Sequence, residues 1–499
     1  MEALTRVITL SDHQPRIVDI RADLNVGDAT LRVHGLSPSV SRETRDRVRA
    51  AIRNSGLSWP DGVVHLTASS AHPRSDVDLA AAAAALLVTG AVPVRRLTAT
   101  ALIGELGLDG TVRPVPDILG RAVAAADAGF THLVVPAANA ADARAVPGLT
   151  VIPVARLDDL ISWLRSSPAP ALLPESGVQG QPRTSWAPEA WAQLSSTAVR
   201  AAAVAATGGH HILHVADPSD PVLLLPRLIR TLMSDLSDAD TVEVNRLHSL
   251  AGEPLPDNGG FTRPPAVSLH PTDTIAAIVG SFTRPGLLTL AHRGVLTVED
   301  LPDFSASTLE VLRPAMDNGS LSIADAAGTG SHPAGARIVF TTRDCLCGSA
   351  RAEECRCPPA QRARHLARIP LWLLDRVDFF VREVTVAEPD PSLPSLESLR
   401  EGVARARQRA RHRWGALPEP GAEFDYTKAV AGLPAKTVDK LDDAIRHGRI
   451  TSPTAARCLR LAWTRADLDG RAHPDIADIW LTLAHRSGML DLLRNPAPR

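Results

Sequence analysis

Residues 166–190, SSPAPALLPESGVQGQPRTSWAPEA, are rich in Pro, Ser and Gly and carry no sustained apolar period. A stretch of this kind supports neither a long helix nor a strand, so it serves as a linker and divides the chain. On its N-terminal side, residues 1–165 alternate short β-type runs with Ala-rich helical runs. RIVDIRADL and ATLRVHGL read as strands, SRETRDRVRAAIRNSG as a helix stopped by Gly56, and THLVVP and TVIPV as later strands. This pattern predicts a compact α/β unit. Residues 191–386 alternate again, with HHILHV, TVEVNRL, GLLTL, GVLTVE and ARIVFTT expected as strands of a mainly parallel sheet. A second proline-rich stretch, 387–396, closes that unit. Residues 397–499 hold only helical patterns and predict an all-α bundle, with Ser452 and Gly470 capping one of its helices.

The net charge of −2 exerts no global pull toward nucleic acid or an anionic membrane. The balance conceals a skew, because the only lysines are Lys428, Lys436 and Lys440. The longest apolar run, Leu79 to Val92, is short of the roughly 20 residues a membrane helix needs and reads as a buried helix. The N-terminus shows no basic segment followed by an uninterrupted apolar one, so a cytoplasmic protein without membrane contact is expected. Five cysteines are few for this length, and four cluster between Cys345 and Cys357, which argues against a dispersed disulfide framework. Cys345-x-Cys347 and Cys355-x-Cys357 could close a tetrahedral zinc site, although C-x-C is not the commonest spacing. Reduced thiols without metal are the alternative, and both stay open here. Cys458 lies in a helical apolar pattern and reads as core.

Several long segments occur in an order that resembles the ComM/YifB family of magnesium-chelatase-like AAA+ proteins. They are HGLSPSVSRETRDRVRAAIRNSG (34–56), LIGELGLDGTVRPV (102–115), HLVVPAANAADA (132–143), LHSLAG (247–252), the run from Arg284 to Gly319, CLCG with CRC (345–348 and 355–357), LLDRVD (373–378) and LRLAWTRADLDG (459–470). The resemblance implies a Lon-protease-like, ribosomal-S5-type α/β domain over 1–165. It further implies an AAA+ α/β/α core over 191–386 and a helical lid over 397–499. Family members are taken to form hexameric rings, and ComM acts on branched DNA during recombination.

A phosphate-binding loop needs small residues for backbone wrapping, a Lys for the β/γ-phosphates and a Ser/Thr hydroxyl for Mg²⁺. After the strand GHHILHV, the eight positions aligned with G-x-x-x-x-G-K-[S/T] are Ala216, Asp217, Pro218, Ser219, Asp220, Pro221, Val222 and Leu223. Every specified position has changed. Asp217 and Asp220 bring negative charge toward a polyanion, and Pro221 lacks an N–H. With no lysine before Lys428, none is recovered by shifting the alignment. Arg227 or Arg230 would be a poor substitute, since an Arg fork a turn or more down the helix is not a P-loop Lys. The Asp-Glu pair of the family is Glu299-Asp300 here, with both carboxylates kept but their lengths exchanged. Arg343 stands where the family's NPCPCG motif has its Asn. The retained Arg376 is a candidate arginine finger, or else an ordinary ion pair with Asp375 or Asp378.

At the position corresponding to Lon's catalytic Lys this chain has Leu119, which leaves Ser75 without a base and better suited to capping a helix. In the pore hairpin, SIADAAG places Asp325 where the family carries Arg, weakening phosphate contact. The basic run RARQRARHRW, ending at Trp414, is either a solvated helix face or a DNA-backbone contact. These readings together predict an AAA+ fold with a degenerate Walker A site and no protease activity. The expected role is a pseudo-ATPase scaffold or regulatory paralogue within a homo- or hetero-oligomeric ring, with an active AAA+ paralogue as candidate partner, weak DNA contact, and ATP/Mg²⁺ not expected as cofactor. The alternative is an ATP-dependent branch-migration motor with a non-standard nucleotide site.

Overall fold

The computed structural model describes every residue except 1, 12–13, 70–75, 145, 166–167, 169–189, 217–222, 254–259, 326–327, 344–346, 348–355, 383–391, 416–418, 421–423, 449 and 495–499. Two compact units emerge, one of residues 1–183 and 245–260, the other of residues 184–244 and 261–499.

The first unit is built on a seven-stranded mixed sheet. Its strands are β1 (Glu2–Ser11), β2 (Gln14–Asn25), β3 (Thr30–His34), β4 (Val63–Ala68), β5 (Thr100–Leu102), β6 (His132–Pro136) and β7 (Thr150–Val154), in the order β3-β4-β2-β1-β5-β6-β7. β1 and β2 pair antiparallel over ten positions from Glu2↔Asp23 to Ser11↔Gln14. β1 is central, so Val7 and Ile8, on opposite faces, are both fully buried. Two helices cover one face. α1 (Pro38–Asn54) buries the stripe Val40, Thr44, Val48, Ala51 and Ile52, and it stops where Gly56 takes a positive φ of 72°. α2 (Asp78–Val88) is apolar all round and buried almost throughout, its alanines allowing close approach to β1 and β2. On the other face, α3 (Ile118–Asp127) packs Ile118, Leu119, Ala122 and Ala125 against β1, β5 and β6.

The second unit has a five-stranded sheet of β8 (Ile212–Ala216), β9 (Ala266–Leu269), β10 (Val295–Val298), β13 (Arg337–Arg343) and β14 (Phe379–Arg382). The order is β9-β10-β13-β8-β14, and every neighbouring pair is parallel. Both faces are covered, which is why these strands read as continuous apolar runs. α4 (Ser196–Gly208) and α5 (Leu224–Leu232) share one cluster with Ile212, Val295, Val339 and Val381. A two-stranded hairpin, β11 (Ser320–Asp325) with β12 (Gly328–Pro333), stands apart from the sheet. The C-terminal helices include α8 (Leu396–Trp414), α9 (Ser452–Leu468) and α10 (Ile476–Arg494). α8 and α9 place Val403 and Leu461 in the same cluster as α4.

Three local expectations are corrected. TVEVNRL is not a strand but part of α6 (Asp238–Ala251), because Val244, Leu247 and Leu250 bury one face at helical spacing while Val242 is exposed. GLLTL forms a short helix, α7 (Leu287–Leu290), entered through Gly286. The N-cap of α9 is Thr451, whose hydroxyl accepts from the Thr454 amide, while Gly470 at φ 74° ends the helix as expected.

Gly294 opens β10 between β9 and β13: its carbonyl accepts from the Arg337 amide, and the next amide, Val295, donates to Pro265 O at 3.0 Å. A Cβ at Gly294 would lie 2.0 Å from the Pro265 carbonyl oxygen. Gly294→Ala is therefore expected to destabilise the second unit by roughly 1–3 kcal/mol, measurable as a lowered midpoint in denaturant unfolding.

Candidate functional site

In parallel sheets ligands bind outside the carboxyl ends of the strands, where the strand order reverses. Here that place lies at the ends of β8 and β13. Ala216, the last residue of β8, is paired in register with Arg343, the last of β13. The positions Asp217, Pro218, Ser219, Asp220, Pro221 and Val222 lie outside the described residues. Leu223 occupies the cap position of α5 without a capping side chain, and Leu224, Leu225 and Pro226 follow as buried residues. An anion at a helix N-terminus needs free amides, yet Pro226 removes one and the leucines supply no hydroxyl. Arg230 donates to the Pro264 carbonyl at 2.6 Å.

Arg343 ends β13 half-buried, and its Nε has no hydrogen-bond partner among the described residues. The neighbouring strand end carries Glu299 and Asp300. Glu299 Oε2 lies 3.7 Å from His270 Nδ1. Asp300 is exposed and left-handed (φ 52°), its amide donating to Thr341 Oγ1 at 3.4 Å. Asp tolerates this conformation better than most residues, so the exchanged order puts the shorter carboxylate on the turn. Arg376 is held by Asp317 through two 2.7 Å bonds and donates to Trp372 O at 3.0 Å. Its partner is thus neither Asp375 nor Asp378.

The remaining candidates are scattered. Cys347 is exposed and Cys357 half-buried, while Cys345 and Cys355 fall outside the described residues, among which no metal-holding group of His, Cys, Asp or Glu occurs. Burial raises the Cys458 thiol to about 11. Asp325 accepts from the Phe282 amide at 2.8 Å, at the end of β11. In the first unit Leu119 is buried in α3, and Ser75 falls outside the described residues. α2 begins at Asp78 behind Val77, so Val77 holds the cap position expected of Ser75. Beside it lies a buried ion pair, Arg121 to Asp76 at 2.8 Å, with Thr9 donating to the same carboxylate. Removing one partner strands a charge, so Arg121→Ala is expected to cost roughly 3–5 kcal/mol in unfolding free energy, and Asp76→Ala a similar amount.

Residues 20–139 match the family model described as subunit ChlI of Mg-chelatase, 193–390 that of magnesium chelatase, subunit ChlI, and 394–486 its C-terminal region. The uncharacterized protein Rv2897c of Mycobacterium tuberculosis is 35% identical over 94% of this chain and 95% of its own length. YifB of Escherichia coli is 25% identical over 91% and 90%. Competence protein ComM of Haemophilus influenzae is 26% identical over 79% of each chain. The chain belongs to the ComM/YifB magnesium-chelatase-like family. For this family member, a mixed α/β fold with a parallel core sheet and a helical C-terminus fits an AAA+-type protein.

Between core and C-terminal helices of this ComM/YifB-type chain lies a charge cluster that sequence reasoning missed. Arg407 of α8 donates to Ala206 O at 3.1 Å and Thr207 O at 3.2 Å, and its other Nη meets Glu419 Oε1 at 2.6 Å. Arg337 of β13 meets Glu419 Oε2 at 3.0 Å. Arg460 of α9 donates to Gly208 O at 2.6 Å and Glu419 O at 3.2 Å. Close by, His210 contacts Thr464 Oγ1 at 2.9 Å and Asp378 at 3.3 Å. The one available signal was Arg407, which lies on the same helical stripe as the buried Val403, Ala406 and Ala410. The basic run is therefore only partly a solvated face: Arg409 and Arg413 also turn inward to Asp467, while Arg405, Arg411 and His412 stay exposed.

Burial alone would raise the Glu419 carboxyl, but Arg337 and Arg407 pull it down to about 2. Burial also lowers His210, and His211 to about 4. Both signs point one way. The histidines lose stability as pH falls below their ordinary 6.5, and Glu419 loses its share as pH falls from about 4.5 toward 2. Glu419→Gln should be less stable than wild type at pH 7 by about 3 kcal/mol, with the difference closing as pH approaches 2. Denaturant unfolding across pH measures this, and a difference independent of pH would contradict it.

Proposed function

We propose that this protein is a non-hydrolysing scaffold or regulatory member of its family, a pseudo-ATPase whose fold survives the loss of its nucleotide site. The observation that carries the reading is the join between β8 and β13. Ala216 leads into a segment without Gly-Lys-Ser/Thr, the helix beyond opens on Leu223, Leu224, Leu225 and Pro226, and Arg343 is the residue in register opposite. Hydrolysis needs a cation on the β/γ-phosphates, a metal ligand and an oriented water, and the sequence after β8 offers neither the Lys nor the Ser/Thr hydroxyl at its expected position, leaving only Glu299 and Asp300, in exchanged order, as carboxylates. On this reading the first unit is a Lon-like domain without its base, serving assembly or partner contact. The protein acts in the cytoplasm within an oligomeric ring, beside an active AAA+ relative.

Equilibrium binding of labelled ATP with Mg²⁺, followed by phosphate release, tests the proposal. The expected outcome is no turnover and no saturable binding in the micromolar range. Micromolar affinity with turnover would overturn it and favour a second reading, supported by the retained Glu299 and Asp300, of an ATP-driven DNA-remodelling motor. That reading predicts ATP-stimulated branch migration on a four-way junction.

A further inference from the structure

α4 ends inside the protein, with Gly209 in the left-handed conformation at φ 66°. A helix end leaves carbonyls without intrahelical donors, and burying them unpaired is costly. Here the donors for Ala206, Thr207 and Gly208 come from the C-terminal helices, through Arg407 of α8 and Arg460 of α9. Cations at a helix C-terminus are favoured. Yet Arg407 and Arg337 are both more than nine-tenths buried, and two guanidiniums driven together would repel each other without an anion between them. Glu419 provides that anion, giving one carboxylate oxygen to each and its main-chain carbonyl to Arg460. Arg337 belongs to the core sheet, whereas Arg407 and Arg460 belong to the C-terminal helices, so one carboxylate joins the two.

We propose that Glu419 is a tethered ligand: its carboxylate occupies an anion site assembled by Arg337 and Arg407, with Arg460 alongside, and fastens the C-terminal helices to the core without any bound nucleotide. The inference rests on the scaffold reading, since a member that does not cycle ATP requires the chain itself to fix these helices. The anchoring is local to the end of α4. Elsewhere the same helices are held by side-chain bonds to core carbonyls, Arg400 donating to Thr231 O at 2.9 Å and Arg457 to Asp375 O at 2.7 Å. An anion site emptied of its own carboxylate becomes a receptor for a small free one.

The test is amide hydrogen exchange on the full-length protein, for wild type, Glu419→Ala and Glu419→Gln, with added sodium formate or sodium chloride at equal concentration. The expected result is exchange in α8 and α9 accelerated roughly tenfold or more in both variants, and by a clearly larger factor than any loss of protection in β8 and β13. Formate should restore protection to Glu419→Ala and chloride should not. Unchanged exchange in α8 and α9, protection lost equally across β8 and β13, or formate acting no better than chloride would each overturn the proposal. Should Glu419→Ala not fold, Glu419→Gln, of nearly the same shape, carries the comparison, and its unchanged exchange would overturn it alike. Adding ATP with Mg²⁺ to wild type separates the two readings. A nucleotide-dependent change in α8 and α9 refutes the scaffold reading, whereas the Glu419 variants alone decide whether the tether exists.

Discussion

A helix cannot end in a protein interior unless its last carbonyls find donors, and in the second unit this constraint organises more than the helix it concerns. α4 buries its alanines in the cluster that also holds Ile212 of β8, and it ends at Gly208, shortly before that strand. The adjoining His210 and His211 are buried, and His211 Nδ1 accepts from the Ile338 amide of β13 at 3.1 Å. There is no space for a larger residue: a Cβ on Gly208 would come within 2.2 Å of His210 Nε2. The strand's start, the carbonyl caps and the placement of α8 and α9 are thus one arrangement, held by directional bonds at one end of the sheet.

The opposite end of the same strands is where a ligand would be recognised. Arg343 lies opposite Ala216 with its Nε unpaired among the described residues, Asp300 projects from a left-handed turn, and Glu299 lies 3.7 Å from His270. A motor needs preorganised groups around the reacting atoms, whereas the proposed scaffold needs only the bonding where α4 ends.

How much of this was legible beforehand follows from the range of the interactions. β8, β10 and β13 were legible because buried parallel strands are apolar on both faces. TVEVNRL misled because Val242 and Val244 alternate like a strand, while the burial that decides the matter runs on through Leu247 and Leu250. The altered P-loop was plain from its residue types, but the pairing of Arg343 with Ala216 depends on strand register and joins positions far apart in sequence. The Arg337, Arg407 and Glu419 cluster left almost no mark, because composition does not say which of many arginines is buried or which carboxylate meets it. Arg376 illustrates the same point, having found Asp317 rather than the acids beside it in sequence.

The near-absence of lysine bears on both ends of the sheet. The sequence holds 53 basic residues, of which only three are lysines. A lysine could not replace Arg407, which spreads one charge over two carbonyls and a carboxylate in fixed directions, whereas an ammonium is a compact, strongly hydrated charge. At a phosphate loop the preference is reversed, because the loop needs a point charge at the end of a slender stem and a fork does not fit the same space. A drift toward arginine in base composition would therefore be tolerated, even useful, where α4 ends, and damaging at the loop after β8. The Lys position of that loop is held by Val222 and not by an arginine, so a drift toward arginine accounts for the buried clamp but not for the altered loop, which changed residue by residue.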